Sequence, residues 1–236
     1  GFLFWPMLTP ATHTDPALLT PDRIDWILCD LGKTIVDFDF STTIPRLRAF
    51  LAAAPWKAPR GVPSAEALHE FAFKPLPTTG RSRSLGIERG DRPFAELVGE
   101  INATFGTALD EEDVVGAWSE IFGALHPATL EAMRRAQSRG VRVAICSNTN
   151  PQHWSHIWRH YDAVRTVRWD ALFLSYEIGH MKVEPEFFPR VMARTGAAPA
   201  RHLFLDDLED NLASAARCGI ATMLYAGRLP GCPLWD

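Results

Sequence analysis

The sequence is poor in cysteine. It has four, Cys29, Cys146, Cys218 and Cys232, and no Cys-x-x-Cys or Cys/His spacing of the kind that holds zinc. So few thiols do not build a disulfide framework, and they fit a reducing cytoplasm. Also missing is any apolar stretch near the roughly 20 residues that a membrane-spanning helix needs. The opening Gly1-Phe2-Leu3-Phe4-Trp5-Pro6-Met7 is apolar but short and lacks a basic leader, so it is not read as a signal peptide. Basic charge is not in excess: 24 Lys and Arg stand against 28 Asp and Glu, a net charge of −4. That balance argues against nucleic-acid binding as the main role. There is no internal repeat and no low-complexity tract.

What remains is a globular composition, 47% hydrophobic and 22% charged over 236 residues. It suits one large domain or one domain with an insert. Residues 1–22 carry Pro6, Pro10, Pro16 and Pro21, which forbid a long helix and predict an extended N-terminal arm. Its aromatics can pack on the domain or on a second copy, which leaves a homodimer open. The apolar run Ile24 to Cys29 ends in Asp30. Val36 to Phe40, with Asp37 and Asp39 alternating, suits a short hairpin or flap. From 41 to 123 helical patterns follow one another with no strand signal, including an N-capped helix opening at Ser64 and an acid-headed one from Asp110 to about Phe122. Beyond that block, helices alternate with the apolar runs 141–146, 171–175, 202–205 and 220–225. Alternation of this kind predicts a parallel α/β sheet with right-handed crossovers.

Polar residues stand where these runs end. Asp30 is followed by Leu31-Gly32-Lys33-Thr34, and Cys146 by Ser147-Asn148-Thr149-Asn150. Lys182 follows the run 171–174, and Leu205 is followed by Asp206-Asp207. The carboxyl ends of parallel strands are where open α/β sheets place their chemistry. A carboxylate, a hydroxyl, a lysine and an acidic pair in this order point to a phosphate-and-metal site.

These four motifs, extended by Leu208-Glu209-Asp210-Asn211, resemble those of the haloacid dehalogenase-like hydrolase superfamily from about residue 23 to 226. Asp30-Leu31-Gly32, Ser147 to His153 and Glu88-Arg89-Gly90 look most like bacterial phosphatases acting on α-glucose 1-phosphate, and are similar to the phosphatase domain of soluble epoxide hydrolases. The resemblance implies a Rossmann-like parallel sheet in the order 5-4-1-2-3. Residues 23–40 and 124–236 form this core, and 41–123 an inserted helical cap.

It also implies roles. Asp30 is the candidate nucleophile. Asp30 and Asp207, with the Gly32 carbonyl, are the candidate ligands to Mg²⁺, which accepts one or two carboxylates beside waters and phosphate oxygens. Ser147, the Asn148 backbone and Lys182 are the candidate phosphate contacts, with Asp206 and Asn211 in support. Arg89 is the candidate substrate contact from the cap, where Lys74, Arg81, Arg83 and Arg92 also cluster. His153 lies one helical turn beyond Ser147 and either faces the site or packs. Trp154 and Trp158 are expected to pack on the sheet. Gly32 departs from the superfamily pattern, which has a second Asp there to protonate the leaving oxygen. The expected activity is Mg²⁺-dependent hydrolysis of a small phosphorylated metabolite, such as a sugar 1-phosphate, through a phospho-Asp30 intermediate. A 2-haloacid dehalogenase and a non-catalytic phosphate-binding or scaffold protein are the other readings. The acidic pair argues against the first, because attack on carbon needs no metal.

Overall fold

In the computed structural model, residues 13–236 are described. Seven strands occur among them: β1 Trp26–Cys29, β2 Val36–Phe38, β3 Phe122–Leu125, β4 Arg142–Ser147, β5 Ala171–Leu174, β6 His202–Asp206 and β7 Ala221–Leu224. Five form one parallel sheet in the order β5-β4-β1-β6-β7. Counting only these five along the chain and reading from the β7 edge gives 5-4-1-2-3. All of β1 and β6 and nearly all of β4 are buried, which is why they read as continuous apolar runs rather than as alternation.

The two faces of the sheet fill separate cores. Ile27, Cys29, Val143, Ile145, Leu203 and Leu205 point to one side, while Trp26, Leu28, Ala144, Cys146 and Phe204 point to the other. Register does the rest. Cys29 pairs with Ile145 on one neighbour and Leu205 on the other, and the Asp30 N–H continues the ladder to the Leu205 carbonyl at 2.9 Å. Asp30 thus leaves the sheet between the strand that ends in Ser147 and the strand that ends in Asp206.

The block between β2 and β3 is helical: α1 Thr43–Ala53, α2 Ala65–Phe73, α3 Arg83–Glu88, α4 Phe94–Phe105 and α5 Glu111–Ser119. It has its own apolar core, including Leu51, Phe71, Leu97, Val114 and Trp118. The Ser64 hydroxyl caps α2 by accepting from the Ala67 N–H at 3.1 Å, and Asp110 with Asp113 forms a capping box at α5. The core helices are α6 Pro127–Ser138, α7 Pro151–His160, α8 Asp162–Arg165, α9 Ser175–Ile178, α10 Phe187–Thr195 and α11 Glu209–Arg217.

Three expectations change. The flap at 36–40 is not a local hairpin: β2 pairs antiparallel with β3, so one antiparallel ribbon carries the chain both into and out of the helical block. The last cap helix stops at Ser119 rather than Phe122, because Phe122-Gly123-Ala124-Leu125 turns into β3. Trp158 does not pack on the sheet; it is exposed beside the partly buried Trp154. Of the N-terminal arm, residues 1–12 lie outside the described residues. Thr14 bonds the Thr222 backbone in β7, and Leu19 is buried, so 13–22 run along the core. All four cysteines are unpaired. Among the described residues no helix is long and apolar enough to cross a membrane.

Candidate active site

Asp30, Asp206 and Asp207 each offer a carboxylate oxygen within 4.8 Å of the others. Lys182, on the loop after α9, reaches into this group and is 1% exposed. Its ammonium donates to Asp30 and, at 2.7 Å, to Asp206. Burial alone would lower the lysine, but Asp206 and Asp30 more than reverse that and hold it well above its ordinary value, so it stays charged. Burial pushes the Asp30 carboxyl up to about 7; Lys182 opposes this, while Asp206 and Asp207 add to it. Burial and the Asp206 charge also raise Asp207.

The two adjacent aspartates do different things. Asp206 is fully buried and its oxygens are committed. They accept from Lys182, from the Leu208 N–H at 2.8 Å, and from the Asn211 amide at 3.1 Å to each oxygen. Asp206 and Asn211 therefore position the lysine and the loop. Asp207 is half-buried, and among the described residues no other side chain hydrogen-bonds its carboxylate. The donor set is all oxygen, and three carboxylates face one ammonium in a buried space. That surplus of negative charge suits a hard divalent cation, and Asp30 with Asp207 are the residues placed to hold one.

The candidate phosphate contacts stand at the β4 end. Ser147 closes the strand, buried, with a hydroxyl that makes only a long 3.4 Å contact to the Asn148 carbonyl. The Asn148 side chain accepts the Lys182 backbone N–H at 2.9 Å, fixing the lysine loop to the Ser147 turn. Asp30, Ser147, Asn148, Lys182, Asp206, Asp207 and Asn211 thus converge at the carboxyl ends of β1, β4 and β6, with Gly32 at the base of the flap.

Arg89 does not join them. Its guanidinium is buried between Asp91, at 2.9 Å, and Glu184. Glu184 also accepts the Met181 N–H at 3.0 Å, so this clasp fastens the helical block to the Lys182 loop. The other basic residues of 74–92 are likewise engaged: Lys74 with Glu70, Arg81 with Asp91, and Arg83 and Arg92 with Glu100. His153 is committed as well. It accepts from the Asn150 amide at Nδ1 and donates from Nε2 to the Trp118 carbonyl at 2.9 Å, and burial lowers it to about 4. It is a neutral tether between core and cap.

Ser175 was not foreseen. Its hydroxyl donates to the Glu88 carbonyl at 2.6 Å, lies 2.9 Å from the Thr149 carbonyl, and accepts the Thr149 N–H at 2.9 Å, joining the helical block to the loop after β4. Its signal was a hydroxyl placed directly after the apolar run 171–174.

The chain belongs to the haloacid dehalogenase-like hydrolases, whose family pattern matches residues 24–219. It is 26% identical over 140 residues to a D-ribitol-5-phosphate phosphatase of Bacteroides thetaiotaomicron, a match covering 58% of this chain and 68% of that one. It is 28% identical over 127 residues to enolase-phosphatase E1 of Gluconacetobacter diazotrophicus, covering 54% of this chain and about half, 52%, of that one. Its fold is similar to a crystal structure of a wild-type family enzyme from Bacteroides thetaiotaomicron in complex with magnesium and inorganic phosphate. The TM-score is 0.68 at 23% identity, over 90% of this chain and 100% of that one. An L-2-haloacid dehalogenase shares the fold less closely, with a TM-score of 0.52 at 20% identity over 85% and 83%.

Proposed function

We propose that this hydrolase is a Mg²⁺-dependent phosphatase that hydrolyses a small phosphorylated metabolite through a phospho-Asp30 intermediate. The observation that carries this reading is the three-carboxylate cluster closed by a buried lysine. Nucleophilic attack by a carboxylate on a phosphate ester needs the negative charge of the phosphoryl group offset, because both partners are anionic. Lys182 supplies one fixed cation, held in place by Asp206. When bound, Mg²⁺ held by Asp30, Asp207 and the Gly32 carbonyl supplies the remaining positive charge for the phosphoryl oxygens. The Ser147 hydroxyl and the Asn148 N–H donate to those oxygens at the end of β4. Asp30 attacks phosphorus, the alcohol leaves with the bond electrons and takes up a proton, and water then releases phosphate from Asp30. The magnesium and phosphate in the related crystal structure and the phosphatase names of the two relatives support this reading. A sugar or sugar-alcohol phosphate, such as a sugar 1-phosphate, is the substrate we expect.

The test is hydrolysis of an aryl phosphate by purified protein. It should proceed with Mg²⁺ and stop in chelator. Release of chloride from 2-chloropropionate, with no phosphatase activity, would establish dehalogenation instead. Binding of beryllium fluoride with Mg²⁺ but no turnover of any phosphate would favour a phosphate-binding scaffold.

A further inference from the structure

A cleft of about 820 Å³, open to solvent, is walled by Phe40, α1, α2 and α3. Its two ends are fastened to the two sides of the candidate active site. At one end Phe40 packs edge-on against Phe38, with ring centroids 5.0 Å apart, and Phe38 covers Gly32. At the other, the Glu88 backbone is bound through Ser175 to Thr149 in the phosphate loop. Phe40, Phe73 and Leu85 give the walls an apolar surface, and Ser84 adds a buried hydroxyl. The ionisable groups on the walls are Glu66 and His69 at the exposed rim and Glu88 on the wall nearest Ser175. Among the described residues no lysine or arginine lines the cavity. The basic residues of 74–92 are each paired with a carboxylate, as described above.

We infer that this cavity restricts the enzyme to monophosphates whose organic part carries no second anionic group. The inference rests on the phosphatase reading, since it takes the cavity as the place of the leaving group. A bisphosphate, or a phosphate ester with a carboxylate, brings its second charge against apolar walls and Glu88 with no lysine or arginine on those walls to meet it; the Lys33 ammonium lies outside them, beside Phe38. Desolvating an anion without a partner is costly, and a like charge on the wall adds to the cost. The apolar walls accommodate an aromatic alcohol, and the Ser84 hydroxyl and the Glu88 carboxyl can meet the hydroxyls of a polyol. Burial pushes Glu88 up to about 7; above that pH its charge is developed.

The experiment compares phenyl phosphate with 4-carboxyphenyl phosphate at pH 8 in saturating Mg²⁺. The two leaving groups have similar intrinsic reactivity and differ mainly in charge. The native protein is expected to show kcat/KM at least tenfold lower for the carboxylated ester, mostly through KM. Glu88→Gln should narrow that gap at least threefold. Glu66→Lys, on the exposed rim where folding is not at stake, should narrow it in the same direction. Equal efficiency on the two esters in native protein overturns the inference, as does a gap that neither variant changes. Hydrolysis of neither ester by folded, Mg²⁺-loaded protein is a different failure: it removes the phosphatase reading, and this inference with it.

Discussion

The ring of Phe38 lies against Gly32, and a Cβ at position 32 would come within 2.5 Å of its Cε1 atom. The same ring is flanked by Phe40 and by the Lys33 ammonium 5.4 Å from its centre, and Lys33 itself holds φ 56°. Where the resemblance noted above would place an acid to protonate the leaving oxygen, this protein has a glycine faced by an aromatic wall. Loss of such an acid costs about 10²- to 10⁴-fold on poor leaving groups. Single-turnover rates across a series of esters should therefore fall steeply as leaving-group pKa rises. Gly32→Asp alone should not flatten the series, because Phe38 blocks the new carboxylate. Gly32→Asp with Phe38→Ala should flatten it. A flat series in native protein would show that another group donates the proton.

Asp30→Asn should abolish turnover yet leave the protein at least as resistant to heat in metal-free buffer. Three carboxylates, two buried and one half-buried, share one ammonium, so removing one charge relieves repulsion even as it removes the nucleophile. Mg²⁺ should raise the melting temperature of native protein clearly and of Asp207→Asn little. A melting temperature many degrees below native for Asp30→Asn would contradict this electrostatic account.

Arg89→Ala should lower activity on all substrates alike. Its guanidinium holds Glu184 and through it the Lys182 loop. Breaking a buried pair by removing one partner costs about 3 to 5 kcal/mol, visible in chemical denaturation. Arg89→Ala with Glu184→Gln should recover part of that loss. Selective loss on a natural substrate, with stability unchanged, would return Arg89 to a role in substrate contact.

His153 gives the fold an acid limb. Its ordinary value is 6.5, and burial lowers it to about 4 in the folded protein. Between these values the unfolded chain binds more protons, so its contribution is whole above pH 6.5 and drains away as pH falls toward 4. His153→Gln, which can keep a donor to the Trp118 carbonyl, should show a shallower decline in melting temperature from pH 6.5 to 4.5 than native protein. Parallel declines would mean that other groups set the acid limit.

The strand-end residues were legible because parallel strands buried on both faces write themselves as apolar runs, and the polar residue that breaks such a run is conspicuous. Asp30, Ser147 and Asp206-Asp207 stand out for this reason. The strand Phe122–Leu125 was not legible: it is four residues long, contains Gly123, and its middle is exposed, so it has neither a run nor an alternation. Arg89 was visible as part of Glu88-Arg89-Gly90, but its partner Glu184 is 95 residues away, and an ion pair leaves no mark on either segment alone. The same holds for Phe38 over Gly32. Glycine there was plain in the sequence, while the ring packed against it depends on the flap's path.

Cys29 directly precedes Asp30, and Cys146 directly precedes Ser147; both thiols are fully buried and pushed well above their ordinary value. Thiolate is the form that reacts with alkylating agents and peroxides, so these two sulfurs are shielded although each neighbours a reactive position. Cys232 is buried too, whereas Cys218, at the end of α11, is partly open to solvent. Thiol chemistry is thereby steered away from the site: Cys218, although burial raises its thiol as well, is the cysteine that a maleimide fluorophore can reach.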